Sequence, residues 1–232
     1  MDLIVQGLAG ALERVARLDP DVMAAASASL AVSGTATLLS VLLGVPLGVV
    51  VGLARFRGRG LVLSLTNTGM AFPPVVVGLF VVVAIWRSGP LGGLDALCTR
   101  EAMIAAQFIL AFPTVLGLTA IALQGMDPML RTQIAALGAT RLQAGWLLAR
   151  EAQLPLLTAA MAGFGAVISE VGASVMTGCN LKDDTRILTT AILLESNKGQ
   201  FDVAFALSFI LLAIVFAINA VTTWAQQRKR PL

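Results

Sequence analysis

Five long apolar segments follow one another along the chain, separated by short polar stretches. They cover residues 22–54, 61–86, 102–124, 154–179 and 203–225. Only the fourth segment contains a charged side chain, that of Glu170. An α-helix rises ~1.5 Å per residue, so about 20 apolar residues cross the ~30 Å hydrocarbon layer of a bilayer. The pattern therefore predicts an all-α integral membrane protein with about five transmembrane helices.

The remaining pattern divides the chain into three parts. Residues 1–21 form an N-terminal segment, in which residues 2–18 are predicted to be an amphipathic helix on the membrane surface, with a short sixth span as the alternative. Residues 22–225 form the transmembrane domain, and residues 226–232 form a basic tail. Pro73 and Pro74 are expected to break or kink the second apolar segment near its middle, because proline interrupts helical hydrogen bonding.

Basic residues are concentrated on one predicted side of the membrane. This side holds nine Lys and Arg residues and two acidic residues, in the turn after the first segment, the stretch 125–153 and the C-terminus. The other side holds the remaining seven of the 16 Lys and Arg residues. Cytoplasmic loops are enriched in Lys and Arg, which predicts an external N-terminus and a cytoplasmic C-terminus in a bacterial-type inner membrane.

Composition excludes several classes of function. The chain is 57% hydrophobic and only 12% charged, with a net charge of +3, so its basic residues indicate membrane topology and not nucleic-acid binding. It has no histidine and two cysteines, which excludes most zinc, haem and iron–sulfur sites and the Ser-His-Asp triad. No cofactor is therefore predicted in this chain. Cys98 and Cys179 are expected to be buried free thiols, with a disulfide as the alternative.

The polar stretch 125–153 has the pattern of a helical hairpin. Asp127 is predicted to cap a helix that begins at Pro128 and continues over residues 129–136. Gly138 is suited to a left-handed turn after this helix, and a second helix is predicted from about Arg141. An interfacial helical hairpin with only a structural role is the alternative.

Two blocks of sequence carry a resemblance to a known family. The block from Met129 to Leu148 resembles the coupling loop of ABC importer permeases: it retains the Leu-Gly-Ala core at 137–139, although Thr132 stands where that motif has an acidic residue. The block Gly163-Phe-Gly-Ala-Val-Ile-Ser-Glu-Val-Gly-Ala-Ser174, with further matches up to Gly199, is similar to the permease subunit of tungstate ABC importers. Molybdate and sulfate permeases share its Ser-Glu-x-Gly core. The resemblance covers residues 25–225.

The resemblance implies both a fold and a set of partners. It implies a MetI-like ABC permease bundle with a cytoplasmic coupling helix, acting as a homodimer in membrane lipid. Two cytosolic ABC ATPase subunits would bind ATP-Mg, and an extracytoplasmic oxyanion-binding protein would deliver tungstate or, alternatively, molybdate or sulfate. The chain itself is expected not to be an enzyme, since none of its three lysines follows a glycine as a phosphate-binding loop requires. A self-powered transporter or channel is the alternative from another class, but it would be expected to show inverted repeats and several intramembrane charges.

The candidate site residues form two groups. Those expected to couple to the ATPase are Asp127, Thr132, Gln133, Ala136, Leu137, Gly138 and Ala139. Those expected along the translocation path are Ser169, Glu170, Ser174, Thr177, Asn180, Arg186, Thr189 and Thr190. An oxyanion needs hydrogen-bond donors without strong fixed charge, although hydroxyls also join helices to one another.

Two of these predictions concern geometry. Ser169, Ser174, Thr177 and Asn180 are predicted to share one helical face, because their spacing is three to five residues. Glu170 is interpreted as a hydrogen-bonded carboxylate that joins helices, with a serine or threonine, or a backbone amide of another span, as its partner; a gate or interface contact near the dimer axis is the alternative.

Overall fold

The computed structural model describes residues 2–17 and 19–228, where all regular secondary structure is helical. The helices are α1 (Asp2–Ala16), α2 (Pro20–Leu53), α3 (Arg59–Met70), α4 (Pro74–Ile85), α5 (Arg100–Gln124), α6 (Pro128–Ala136), α7 (Arg141–Glu151), α8 (Gln153–Ile168), α9 (Gly172–Gly178), α10 (Leu188–Asn197) and α11 (Phe201–Arg228). Residues 92–94 add one turn of 3₁₀ helix. Lys229 and Arg230, which belong to the predicted basic tail, lie outside the described residues. The all-α fold is confirmed.

Among the described residues, three helices are long and apolar enough to cross a membrane, and two bent pairs raise the number to five. The three are α2, α5 and α11. The pair α3 and α4 is bent by 100°, and the pair α7 and α8 by 74°. The first bend lies at Pro73 and Pro74, where α4 begins, so the predicted break is confirmed.

Helices α2 and α5 form the centre of the bundle. They run in the same direction, because Gly44 contacts α5 at Val115 and Gly52 contacts it at Leu123. At Gly48 the two helices lie so close that a Cβ atom would be 2.6 Å from Thr119 Cβ. Small residues allow this backbone approach in membranes, where close packing replaces the hydrophobic effect.

The fourth apolar segment is not one continuous helix. Helix α8 ends at Ile168 and α9 begins at Gly172, which leaves residues 169–171 outside both helices. The predicted helical face shared by Ser169 and Ser174 is therefore wrong. No proline marks this break, and its one sign in the sequence is the charged Glu170, which lies between stretches as apolar as those of a continuous span. Helix α9 packs closely on α4, where a Cβ at Gly78 would lie 2.8 Å from Ala173 Cα.

Both ends of the chain are helical where the structure describes them. Helix α1 packs along α11, with Gly10 facing Ala206, and exposes an apolar stripe at Val5, Leu8, Leu12 and Val15. This stripe fits lipid contact, and the placement of α1 on or in the membrane stays a prediction. Helix α11 continues to Arg228, whose guanidinium lies 3.9 Å from the ring centre of Trp224, so residues 226–228 belong to the helix and not to a separate tail.

Candidate functional site

The predicted hairpin is present and consists of α6, a turn at Gly138, and α7. The Asp127 carboxylate accepts a hydrogen bond of 2.8 Å from the Met129 N–H and caps α6. Gly138 has φ +78°, the left-handed conformation that favours glycine. Thr140 and Gln143 then form a reciprocal capping box at the start of α7. The predicted cap at Asp127, the left-handed turn at Gly138 and the helix start at Arg141 are confirmed, because each depends on neighbouring residues only; the capping box was not predicted.

The residues predicted to couple to an ATPase lie together on this hairpin. Asp127, Thr132, Gln133, Ala136, Leu137 and Gly138 are exposed, and Ala139 is half-buried. Large apolar side chains lie beside them: Leu137 is 87% exposed, Leu142 86% and Trp146 71%. Such a patch on a polar segment indicates an interaction surface.

The opposite side of the hairpin packs on the membrane helices. Ile134 of α6 and Leu148 of α7 form a buried cluster with Leu123 of α5 and Ala152. Arg131 also donates a hydrogen bond to the Leu123 carbonyl at the end of α5. Arg131 was not among the sequence candidates. Its position shortly after the end of α5 was the available signal, since arginines often bind the last carbonyls of helices.

Glu170 lies at the break between α8 and α9 and is 8% exposed. Its carboxylate accepts a hydrogen bond of 2.7 Å from the N–H of Ala173, at the start of α9. Its backbone carbonyl accepts one of 2.9 Å from the Thr189 hydroxyl, which connects the break to α10. The hydrogen-bonded carboxylate is present, but the prediction of a partner on another span is wrong because the carboxylate binds three residues further along the same segment.

Most of the hydroxyls proposed for the path are engaged inside the protein. Ser174 and Thr177 are fully buried, and the Thr177 hydroxyl donates to the Ala173 carbonyl. Thr190 is buried, and its hydroxyl donates 2.9 Å to the Asn180 side chain.

Three path candidates remain accessible to solvent: Ser169, Asn180 and Arg186. Ser169 is exposed, and its hydroxyl donates 2.9 Å to the Gly165 carbonyl. The half-buried Arg186 donates 3.4 Å to the Asn180 carbonyl.

Gln107 is a buried polar residue that sequence analysis missed. It lies in α5, is fully buried, and donates a hydrogen bond of 3.1 Å to the Ser174 hydroxyl. Its Oε1 atom has no hydrogen-bond partner among the described residues. A polar side chain inside an uncharged apolar segment was the signal that could have found it.

Cys98 and Cys179 form a disulfide, with a Cα–Cα distance of 5.0 Å. The expectation of buried free thiols is therefore wrong, and Cys179 is exposed. The two residues are 81 positions apart, so only the fold brings them together: the Cys98 N–H donates 2.9 Å to the Thr177 carbonyl at the end of α9.

An exposed ion pair joins Lys182, three residues after Cys179, to Asp21. The Lys182 ammonium donates a hydrogen bond of 2.8 Å to the Asp21 carboxylate, and this bond raises the pKa of the ammonium group. The contact joins the loop after α9 to the start of α2. Exposed pairs of this kind contribute little to stability.

Comparison with known proteins identifies the family to which the chain belongs. Residues 44–231 match the family of binding-protein-dependent transport system inner membrane components. A protein of Haloferax volcanii named "Probable anion ABC transporter permease protein" is 43% identical over 83% of this chain and 85% of its own length. The tungstate uptake permeases of Peptoclostridium acidaminophilum and Campylobacter jejuni are 38% and 33% identical, over 95% and 96% of this chain and 97% and 93% of theirs. The chain therefore belongs to the family of binding-protein-dependent transport system inner membrane components, the permease subunits of ABC importers.

Proposed function

We propose that this chain is the membrane-spanning subunit of an ATP-driven oxyanion importer, and that tungstate is its substrate. The observation that carries the proposal is similarity over nearly the whole length to two tungstate uptake permeases. The similarity to the probable anion permease of Haloferax volcanii supports a negatively charged substrate. Molybdate and sulfate are the alternatives, because they are also tetrahedral dianions.

Two cytosolic ATPase subunits are the proposed partners of the α6–α7 hairpin. The exposed apolar side chains of Leu137, Leu142 and Trp146 support a protein contact there. The chain has no phosphate-binding loop of its own, so nucleotide hydrolysis belongs to the partner. Closure of the ATPases would move α6, and the movement would reach the membrane through the turn at Gly138, α7 and α8.

A second copy of the chain and an external binding protein complete the proposed assembly. The translocation path would lie between two copies, with the C-terminus and the hairpin in the cytoplasm. The disulfide supports this orientation: it lies at the end of α9, on the side of the bundle away from the hairpin, and disulfides persist in oxidising compartments outside the cytoplasm.

Tungstate uptake by the reconstituted complex tests the proposal. The permease, its ATPase and its binding protein are placed in liposomes with internal ATP, and tungstate uptake is measured with molybdate and sulfate as competitors. The expected result is ATP-dependent uptake that needs all three proteins. Full uptake by the permease alone would refute the proposed mechanism, and preferential uptake of molybdate or sulfate would change the substrate.

A further inference from the structure

Helix α3 carries a polar face that neither the fold nor the proposed coupling explains. Ser64, Asn67 and Thr68 are exposed on this helix, and their spacing of three and four residues places them on one side. The Thr68 hydroxyl donates 2.8 Å to the Ser64 carbonyl. The Asn67 side chain makes no hydrogen bond in the part of the chain that the structure describes.

The contacts of α3 place Asn67 at membrane depth. A Cβ at Gly117 of α5 would lie 3.1 Å from the neighbouring Thr66 side chain, and one at Gly69 would lie 2.8 Å from Pro113 Cγ. Gly117 lies seven residues before the end of α5 at Gln124, which is about 10 Å along the helix axis. Asn67 is therefore within the apolar layer that α5 crosses.

An unpaired carboxamide at this depth requires a polar environment. Lipid tails offer no hydrogen bonds, so polar side chains in membrane segments face the bundle interior, another polar group or water. The side of α3 that packs on α5 carries the buried Thr66 and Gly69, and Asn67 is exposed beside it. The chain also bends by 100° between α3 and α4, shortly after Thr68.

We propose that the Ser64–Asn67–Thr68 face of α3 lines the aqueous route of the transporter, and that the Asn67 amide donates hydrogen bonds to the passing oxyanion. The identity of the ion rests on the proposed function. A carboxamide has two N–H donors and no charge, and the adjacent hydroxyls add further donors. Neutral donors of this kind can replace water around a dianion without trapping it. This face replaces the buried hydroxyls of Ser174 and Thr177 as the candidate lining of the route.

Cysteine labelling tests the aqueous position without any transport assay. Asn67→Cys and Phe80→Cys are made in the complete complex; Phe80 is an apolar residue of α4 that is 71% exposed. The native cysteines are paired with each other, so without reductant only the introduced thiol reacts. Both faces of membrane vesicles receive methanethiosulfonate ethylsulfonate, a charged reagent that requires a hydrated thiol. Reaction at position 67 should be about tenfold faster or more, because thiolates form in water and not in lipid. Equally slow reaction at both positions overturns the proposal.

Tungstate uptake by the same complex tests the hydrogen-bonding role. Asn67→Asp has nearly the same shape but places a negative charge in the route of an anion, so uptake should fall about tenfold or more. Asn67→Gln keeps the donors and should stay within about threefold of the unchanged complex. Uptake by Asn67→Asp at the unchanged rate overturns the role in anion contact.

A further variant, Asn67→Leu, separates the route from a contact between copies. If Asn67→Leu dissociates the dimer while Asn67→Cys stays unlabelled, Asn67 belongs to the interface between two copies and the proposal is overturned. If the unchanged complex imports no oxyanion, the proposed function fails, whereas the labelling result still decides whether α3 lines water.

Discussion

Arg131 and Leu123 join the α6–α7 hairpin to the central helix of the bundle. The Arg131 guanidinium donates a hydrogen bond to the Leu123 carbonyl, and the Leu123 side chain is fully buried against Ile134. The last carbonyls of a helix lack helical partners and carry partial negative charge, so a guanidinium is favourable there. A movement of α6 can therefore be transmitted directly to α5, as well as through α7 to α8.

Loss of this contact should uncouple ATP hydrolysis from transport. We expect Arg131→Ala to reduce tungstate uptake by about tenfold while ATPase activity is retained, because a hydrogen bond from a charged group contributes about 1.5–3 kcal/mol. Arg131→Lys keeps the charge and one donor, and should restore part of the uptake. Uptake and ATP hydrolysis are measured in the same liposomes.

Arg141→Ala is the matched control for this variant. Arg141 is exposed at the start of α7, so its removal changes the charge of the hairpin equally without touching α5. An equal decrease in both variants would show that hairpin charge matters and that the contact with Leu123 does not.

The turn at Gly138 gives a second prediction about the hairpin. A Cβ at this position would meet nothing within 4 Å, so only backbone conformation opposes a side chain. We expect Gly138→Val to destabilise the turn by about 1–2 kcal/mol, because valine is strained in the left-handed conformation. The turn would then adopt another conformation, and we expect uptake to be abolished. Asn tolerates this conformation, so Gly138→Asn should transport.

Membrane insertion and thermal stability are measured alongside uptake for both variants. Insertion should be unchanged, since the turn lies outside the apolar segments. Full uptake by Gly138→Val would refute the role of this turn in transmitting movement.

Local chemistry made the hairpin predictable from the sequence. The Asp127 cap and the Gly138 turn each depend on residues within a few positions, and the structure has both. The five apolar segments were equally visible, because membrane thickness determines the length of a spanning helix.

Features that depend on distant residues were not predictable in this way. The break at Glu170 lies in a segment that is apolar on both sides of this one residue, and the disulfide joins residues 81 positions apart. The burial of Ser174 likewise follows from its contact with Gln107 on another helix. Periodicity gives the face of a helix but not what covers it, so hydroxyls that join helices resembled hydroxyls that line a path.

Glu170 should act mainly as a helix cap. Its carboxylate accepts the Ala173 N–H, and a glutamine carbonyl oxygen can accept the same hydrogen bond. We expect Glu170→Gln to transport at close to the unchanged rate. Glu170→Ala removes the acceptor and should lower the free energy of unfolding by about 1 kcal/mol, as loss of a cap does elsewhere. Uptake and the thermal midpoint are measured for both. A large transport defect in Glu170→Gln would instead support a gate that needs the negative charge.

The disulfide between Cys98 and Cys179 predicts both stability and topology. It connects the loop between α4 and α5 to the end of α9, so Cys98→Ser and Cys179→Ser should each lower the free energy of unfolding by about 2–4 kcal/mol. The double variant should lose no more than either single variant, because all three remove the same bond; thermal denaturation in detergent measures this.

Labelling with a membrane-impermeant maleimide then tests the side of the membrane. In intact cells or right-side-out vesicles, both cysteines should be labelled only after an external reductant is added, since disulfides persist in oxidising compartments and Cys179 is exposed at the surface. The single variants supply the control, because each leaves one thiol that reacts without reductant. Labelling of the unchanged protein from the cytoplasmic side alone would reverse the orientation, and with it the proposal that the hairpin meets a cytosolic ATPase.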